Sequence, residues 1–217
     1  MAQTLRDSLA EFVDKPPGLI AIYSLEPIEE RRLAFEFNLG CKVEGPIMVE
    51  IPDGHPTVSV TGENLESPEV GKLLMHIEQL KLVMKSDMTH VCIFEESCVF
   101  SEGVTVEKIR IFLKDVKNLA ARHSIVGSDE FVLFGAEVYT VERPISPIVR
   151  ATNKFKKPLC YFMNRSMIIR VIGTYEYFLQ KNMVVTFDHL LGLVLRSQDK
   201  WALCPQDSFV EQDKSTL

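Results

Sequence analysis

Side chains that could bind a charged partner are concentrated between Arg143 and Arg170. This basic stretch reads RPISPIVRATNKFKKPLCYFMNRSMIIR and holds seven cations and no acid, whereas the 217-residue chain has a net charge of −6. Cations that neutralise phosphates, interleaved with aromatic rings that stack on bases, are a common way to hold single-stranded nucleic acid. The residues that we predict to contact a partner or a nucleic acid are Arg143, Arg150, Lys154, Phe155, Lys156, Lys157, Tyr161 and Arg165.

The charge of the chain is divided unevenly along its length. Residues 1–140 contain 13 Lys/Arg and 23 Asp/Glu, a net charge of −10, and residues 141–217 contain 11 and 7, a net charge of +4. Oppositely charged surfaces attract each other within one molecule or between copies. We therefore predict a protein partner or self-association through the basic stretch. Nucleic acid is the alternative partner, although the negative charge of the whole chain repels phosphate.

Two smaller groups of side chains have the types required for a metal site or for catalysis. His90, Cys92 and Cys98 could bind zinc, but CxxC and HxxxH spacings are missing, so we interpret them as core residues. Asp188 and His189 could form a general base with its orienting partner, but they lie within an apolar run. The sequence also has no glycine-rich phosphate-binding motif. We accordingly predict no catalytic residue, no metal ion and no cofactor.

Hydrophobic periodicity predicts a single α+β domain built from antiparallel sheet and two main amphipathic helices. Spacings of three and four residues predict helices at about 68–86, with Ser67 as cap, and about 105–122, with Thr105 as cap, after a short helix that begins near Leu5. Alternating and apolar runs predict a meander of strands over residues 19–62 and further strands at 90–100, 131–141, 160–163 and 166–173. We predict the domain to span residues 1–206 and a flexible polar tail to span residues 207–217.

The remaining composition bears on the cellular compartment. Five cysteines are widely spaced, and most lie in or beside apolar runs, a pattern that is not a disulfide framework. This pattern predicts a reducing compartment, the cytoplasm, with the nucleus as the alternative. The longest apolar runs are far shorter than the roughly 20 residues of a membrane helix, so we predict no membrane span.

Together these features predict a non-enzymatic macromolecular interaction protein, an assembly, adaptor or regulatory component that docks through residues 143–170. The loops offer turns, caps and the basic stretch rather than a catalytic constellation. Two alternatives remain. One is a single-stranded nucleic-acid-binding protein that uses the same stretch, and the other is an enzyme that uses Asp188, His189 and one of the cysteines. The enzyme alternative requires a concave pocket that holds His189 with another ionisable group in hydrogen-bond reach.

Overall fold

A computed structural model describes residues 5–13, 18–22, 50–95, 98–122 and 131–212. Over these residues the chain forms five helices and seven strands. The helices are α1 (Leu5–Val13), α2 (Ser67–Lys85), α3 (Val106–Arg122), α4 (Arg165–Gln180) and α5 (Phe187–Ser197). The strands are β1 (Gly18–Ile22), β2 (His90–Glu95), β3 (Cys98–Phe100), β4 (Phe131–Pro144), β5 (Val149–Asn164), β6 (Ala202–Pro205) and β7 (Val210–Gln212).

Five of the strands form one mixed sheet in the order β1-β2-β5-β4-β6. β1 is parallel to β2 and β4 is parallel to β6, whereas β5 is antiparallel to β2, β4 and β6. β3 and β7 form a separate antiparallel pair. The predicted α+β class is confirmed, but the prediction of a purely antiparallel sheet is wrong, because two of the pairings are parallel.

The sheet is covered on both faces, since successive residues of a strand point to opposite sides. On one face, Ile93 of β2 and Tyr161 of β5 pack in a core with residues of α2, α4 and α5. On the other face, Phe94 and Phe162 pack with residues of α1 and α3. None of the described helices combines the length and apolarity needed to cross a membrane.

Strand β5 is much longer than the strand beside it. The pairing with β2 runs from His90↔Asn164 to Phe94↔Cys160, so residues 149–159 of β5 continue past the carboxyl end of β2. β1 is parallel to β2 and reaches the level of Glu95, so it ends at the same edge. We call residues 149–159 the β5 overhang. The carboxyl ends of parallel strands are where open α/β sheets usually bind ligands, and the overhang forms a wall at that edge.

The two main predicted helices are confirmed within one or two residues at each end. α2 begins after Glu66, whose side chain forms a capping box with Glu69, so the cap lies one residue before the predicted Ser67. The hydroxyl of Thr105 accepts a hydrogen bond from the Lys108 N–H at 3.2 Å, as expected of the cap of α3. The predicted short helix is α1, which buries Leu5, Leu9 and Phe12.

Other predicted elements differ from the structure. Residues 166–173, predicted as a strand, belong to α4, because the Asn164 side chain accepts a hydrogen bond from the Met167 N–H at 2.9 Å and starts a helix. Within the predicted flexible tail, residues 210–212 form β7 and pair with β3. Of the predicted meander over 19–62, β1 pairs in parallel with β2, Val58 and Ser59 form only isolated bridges, and residues 23–49 lie outside the described residues.

Candidate functional site

A cleft of about 580 Å³ opens between the β5 overhang and helix α5. Its size lies within the range of about 300–1,000 Å³ that is typical of small-molecule sites. Because the β5 overhang extends past the carboxyl ends of β1 and β2, the cleft lies on that side of the sheet. The residues that line the cleft are Asn153, Lys154, Phe155, Lys156, Thr186, Asp188, His189, Gly192 and Arg196.

Positive charge dominates the cleft. Lys154, Lys156 and Arg196 are exposed cations, and Asp188 is the single acid that lines it. Arg196 also donates a hydrogen bond to the Asn153 carbonyl at 3.0 Å, which ties α5 to β5 across the cleft. The first turn of α5 adds the positive end of the helix dipole. A cleft with this charge favours an anionic ligand.

Asp188 is held with one carboxylate oxygen already occupied. The hydroxyl of Thr186, the residue before α5, and the backbone N–H of His189 at 2.8 Å both donate to Asp188 Oδ1. Among the described residues, no hydrogen bond reaches Asp188 Oδ2. The carboxylate is therefore oriented through Oδ1, in a residue that lines the cleft.

His189 is a half-buried histidine in the same turn of α5. Burial lowers the pKa of His189, the positive charge of Arg196 lowers it further, and Asp188 acts in the opposite direction. The imidazole is consequently neutral near pH 7 and can accept a proton or donate a hydrogen bond. The concave pocket that the enzyme alternative requires is present and is lined by His189, Asp188 and Arg196. No hydrogen bond within the described ranges joins the His189 ring to either of the other two side chains.

Behind the cleft lies a buried polar network. His76 of α2 is fully buried, and its Nδ1 lies 2.6 Å from the hydroxyl of Tyr161. Its Nε2 lies 3.4 Å from Oε1 of Glu95, the last residue of β2, while Lys72 Nζ donates to Glu95 Oε2 at 2.6 Å. The His76 ring also stacks on Phe187, with ring centroids 3.9 Å apart and an interplanar angle of 4°. The network therefore touches the first residue of α5.

The charge states in this network follow from burial and from the neighbouring charges. Burial lowers the pKa of His76, against the opposing effect of Glu95. Burial by itself would raise the pKa of Glu95, but the contact with His76 and the charge of Lys72 bring it below its ordinary value. His76 is thus neutral and Glu95 is ionised near pH 7. Sequence reasoning missed this network, and its one available signal was a histidine on the apolar stripe of α2.

Acid is expected to destabilise the fold through His76. As the pH falls below about 6.5, the ordinary histidine pKa, the unfolded chain takes up a proton that native His76 takes up only at lower pH. The free energy of unfolding should then fall by at most about 1.4 kcal/mol per pH unit from this residue. Urea unfolding of the wild type and of His76→Phe between pH 5 and 8 measures the slope. The pKa of His189 is also lowered, so His189→Gln measures the separate contribution of that residue to the slope. An unchanged slope in His76→Phe would contradict the assignment of the acid sensitivity to His76.

The eight residues predicted to contact a partner do not form one surface. Tyr161 is 0% exposed and Phe155 is 4% exposed, and both rings stack against Phe131 in the core, so neither ring can stack on a base or meet a partner. The burial follows from the register of β5, which turns both rings toward the helices. Lys157 forms an exposed ion pair with Glu137 at 2.6 Å. Arg143 is exposed near the end of the β4–β5 hairpin, Arg150 is half-buried, and Lys154 and Lys156 line the cleft.

Arg165 closes the carboxyl end of α2. Its guanidinium donates four hydrogen bonds of 2.6–3.3 Å to backbone carbonyls. Two of these carbonyls lie in the last turn of α2, the negative end of the helix dipole, where a cation is favoured, and the other two lie in the residues that follow the helix. The acceptors are the carbonyls of Val83, Met84, Ser86 and Met88. The structure thus gives Arg165 an internal role instead of a contact with a partner.

Replacing Arg165 by alanine should lower the free energy of unfolding by about 3 kcal/mol, because several charge-assisted hydrogen bonds and a helix cap are lost together. Chemical unfolding measures the change. Arg110→Ala is the matched control, since Arg110 makes two hydrogen bonds to Glu107 on an exposed surface. Surface pairs contribute little, so the control should stay near wild type. Equal losses in both variants would contradict the capping role.

The cysteines and the candidate zinc ligands have structural environments. Cys92, Cys98, Cys160 and Cys204 are buried, and burial raises the pKa of the Cys98 and Cys160 thiols, which disfavours a thiolate nucleophile. His90 contacts the Thr89 hydroxyl at 2.9 Å. In the described part of the chain no cluster of three or more metal-binding side chains occurs, and no cysteine lines the cleft. Cys41 lies outside the described residues.

No family model matches the sequence, and no curated protein matches it either. The structure is similar to the crystal structure of mannose-1-phosphate geranyltransferase from Thermus thermophilus, with a TM-score of 0.36, 11% identity, and coverage of 94% of this chain and 64% of that chain. A nucleoside-diphosphate-sugar pyrophosphorylase from Vibrio cholerae has a TM-score of 0.40 at 11% identity over 97% of this chain and 83% of that chain. A UDP-glucose pyrophosphorylase complexed with UDP-glucose has a TM-score of 0.41 at 6% identity over 93% of this chain and 78% of that chain.

These similarities correct our functional prediction. All three proteins have enzyme names, which contradicts the predicted non-enzymatic interaction protein and favours the enzyme alternative. The similarity is distant in each case, and this chain spans less than two thirds of the first protein. The chemistry of this chain therefore has to be argued from its own cleft.

Proposed function

We propose that this protein is a group-transfer enzyme whose substrate is a phosphorylated small molecule bound in the cleft between the β5 overhang and α5. The observation that supports this function is the combination of three cations, a helix amino terminus and an oriented carboxylate around one cleft. Phosphate esters need positive charge for binding and for stabilising a leaving phosphate. Phosphorylated sugars and nucleoside-diphosphate sugars, which occur in the names of the compared proteins, belong to this substrate class.

The residues of the cleft divide the work between binding and proton transfer. Lys154, Lys156 and Arg196 bind the phosphate oxygens, since each is an exposed cation on the wall of the cleft. Asp188 Oδ2 accepts the proton of an acceptor hydroxyl as that oxygen attacks the transferred group. The bond between the transferred group and the phosphate oxygen then breaks. The phosphate leaves with the electron pair of that bond, and the three cations balance its charge. Neutral His189 donates a hydrogen bond to a ligand oxygen beside Asp188.

Binding of phosphorylated ligands is the direct test. Calorimetric titration with inorganic pyrophosphate, glucose 1-phosphate, UDP and UDP-glucose should give binding that weakens as salt rises. Lys154→Ala and Lys156→Ala should each weaken that binding by about 10-fold, as expected for the loss of a charge-assisted contact.

Lys157→Ala is the matched control for this test. Lys157 neighbours Lys156 in the same strand and has the same charge, but it pairs with Glu137 and does not line the cleft. Its replacement should leave the affinity nearly unchanged. An equal loss of affinity in Lys157→Ala would show that only the net charge matters. If none of the four ligands binds the wild type at low salt, the proposed function is wrong.

A further inference from the structure

The buried His76 ring lies directly under the residue that precedes Asp188. His76 is 0% exposed, and its imidazole is stacked almost coplanar on the ring of Phe187, which is 5% exposed and is the first residue of α5. The Tyr161 ring lies at the same place, 5.7 Å from Phe187. The first turn of α5 therefore packs on the His76 ring through Phe187.

One hydrogen bond holds the His76 ring: the Tyr161 hydroxyl lies 2.6 Å from His76 Nδ1. On the other side of the ring, Glu95 Oε1 lies 3.4 Å from His76 Nε2, and neither of these two buried atoms makes a hydrogen bond within the described residues. Glu95 is itself held by Lys72 through its other oxygen at 2.6 Å. The charge of the Glu95 carboxylate favours the imidazole proton on Nε2, so that Nδ1 accepts from the tyrosine hydroxyl.

From this geometry we propose that His76 is a positioning residue for Asp188, acting through the stacked ring of Phe187 and held in place by the hydroxyl of Tyr161. This inference rests on the proposed function of Asp188 as the proton acceptor. A catalytic group must be held within a fraction of an ångström, and a displacement of about 1 Å can lower a rate by about 100-fold. The Asp188 carboxylate is fixed locally by Thr186 and by its own helix, and the stack fixes that turn of helix against the sheet.

The structure offers a matched pair of substitutions to test this. Tyr161→Phe removes the hydroxyl that holds the His76 ring. Tyr175→Phe removes a half-buried tyrosine hydroxyl that lies 3.2 Å from a histidine nitrogen, that of His55. Both tyrosines belong to the same core. Each variant removes one hydroxyl that contacts a histidine, and only the first one alters the support of Phe187.

The experiment is a comparison of amide and histidine side-chain NMR spectra of full-length wild type and both variants. Tyr161→Phe should shift the amide resonances of Asp188 and His189, and the pH titration of the His189 ring, beyond any change in Tyr175→Phe. His76→Phe keeps a flat ring but loses the hydrogen bond with Tyr161. This variant should shift the same resonances and is measured if Tyr161→Phe does not fold. Unchanged Asp188 and His189 resonances in the folded variants, or equal shifts in Tyr175→Phe, would overturn the inference.

Titration with inorganic pyrophosphate separates this inference from the proposed function. If pyrophosphate binds the wild type and Tyr161→Phe with equal affinity while the Asp188 resonances differ, the network positions Asp188 without forming the anion site, as we expect. An affinity in Tyr161→Phe that falls by 10-fold or more would overturn the inference, because the network would then support the anion site itself. Failure of the wild type to bind pyrophosphate counts against the proposed function, and the comparison of resonances still decides whether His76 controls the first turn of α5.

Discussion

Replacing Asp188 by asparagine is expected to lower kcat by about 10²- to 10⁴-fold, the usual contribution of a general base. The asparagine side chain oxygen can still accept the hydrogen bonds that Asp188 Oδ1 receives from Thr186 and from the His189 N–H. The local structure should therefore be retained while the proton acceptor is lost. Removing the single acid of a cationic cleft also leaves phosphate binding unchanged or tighter, so KM should not rise.

Steady-state kinetics with the ligand identified by calorimetry measures this effect. Asp199→Asn is the matched control, because Asp199 follows the opposite end of α5 and is exposed. It removes the same charge from the same region of the chain and should leave kcat near wild type. A variant Asp188→Asn with full kcat would place the proton acceptor elsewhere, and His189→Gln would be the next variant to measure.

Replacing Gly135 by alanine is expected to lower the free energy of unfolding by about 3 kcal/mol, at the upper end of the usual cost of overpacking. Gly135 lies at an irregularity in the pairing of β4 with β5. A Cβ atom at this position would lie 2.3 Å from the carbonyl oxygen of Val210 and 3.0 Å from its Cβ. The nearest obstacle is backbone, so β7 would have to move as a unit and weaken its pairing with β3.

Chemical unfolding of Gly135→Ala and of Gly173→Ala gives a controlled comparison. Gly173 lies within α4, and a Cβ atom there would meet no other atom within 4 Å. Alanine is favoured over glycine inside a helix by about 1 kcal/mol, so this substitution should stabilise the protein. If both variants have wild-type stability, β7 does not lie against Gly135 as described.

Local pattern was sufficient for helices α2 and α3. Their apolar residues recur every three or four positions, and their caps follow from side chains within a few residues, such as Thr105. The same local reasoning failed for α4. Its segment SMIIRVIG is rich in β-branched residues and predicts a strand, but Asn164 caps a helix and the segment packs on the core as one. Propensity is a weak preference that tertiary packing overrides.

Sequence patterns predict the α+β class, the two main helices, and ionisable side chains around positions 154–157 and 188–189. Which of those side chains meet depends on the tertiary structure. The register of β5 turns Phe155 and Tyr161 into the core and leaves Lys154 and Lys156 beside α5. It also brings Tyr161 to His76, 85 positions away in sequence. Contacts of this kind depend on how strands pair and on which face of the sheet a helix covers. Strand pairing and helix placement are set by the burial of the whole core, so they cannot be predicted from a local pattern of residues.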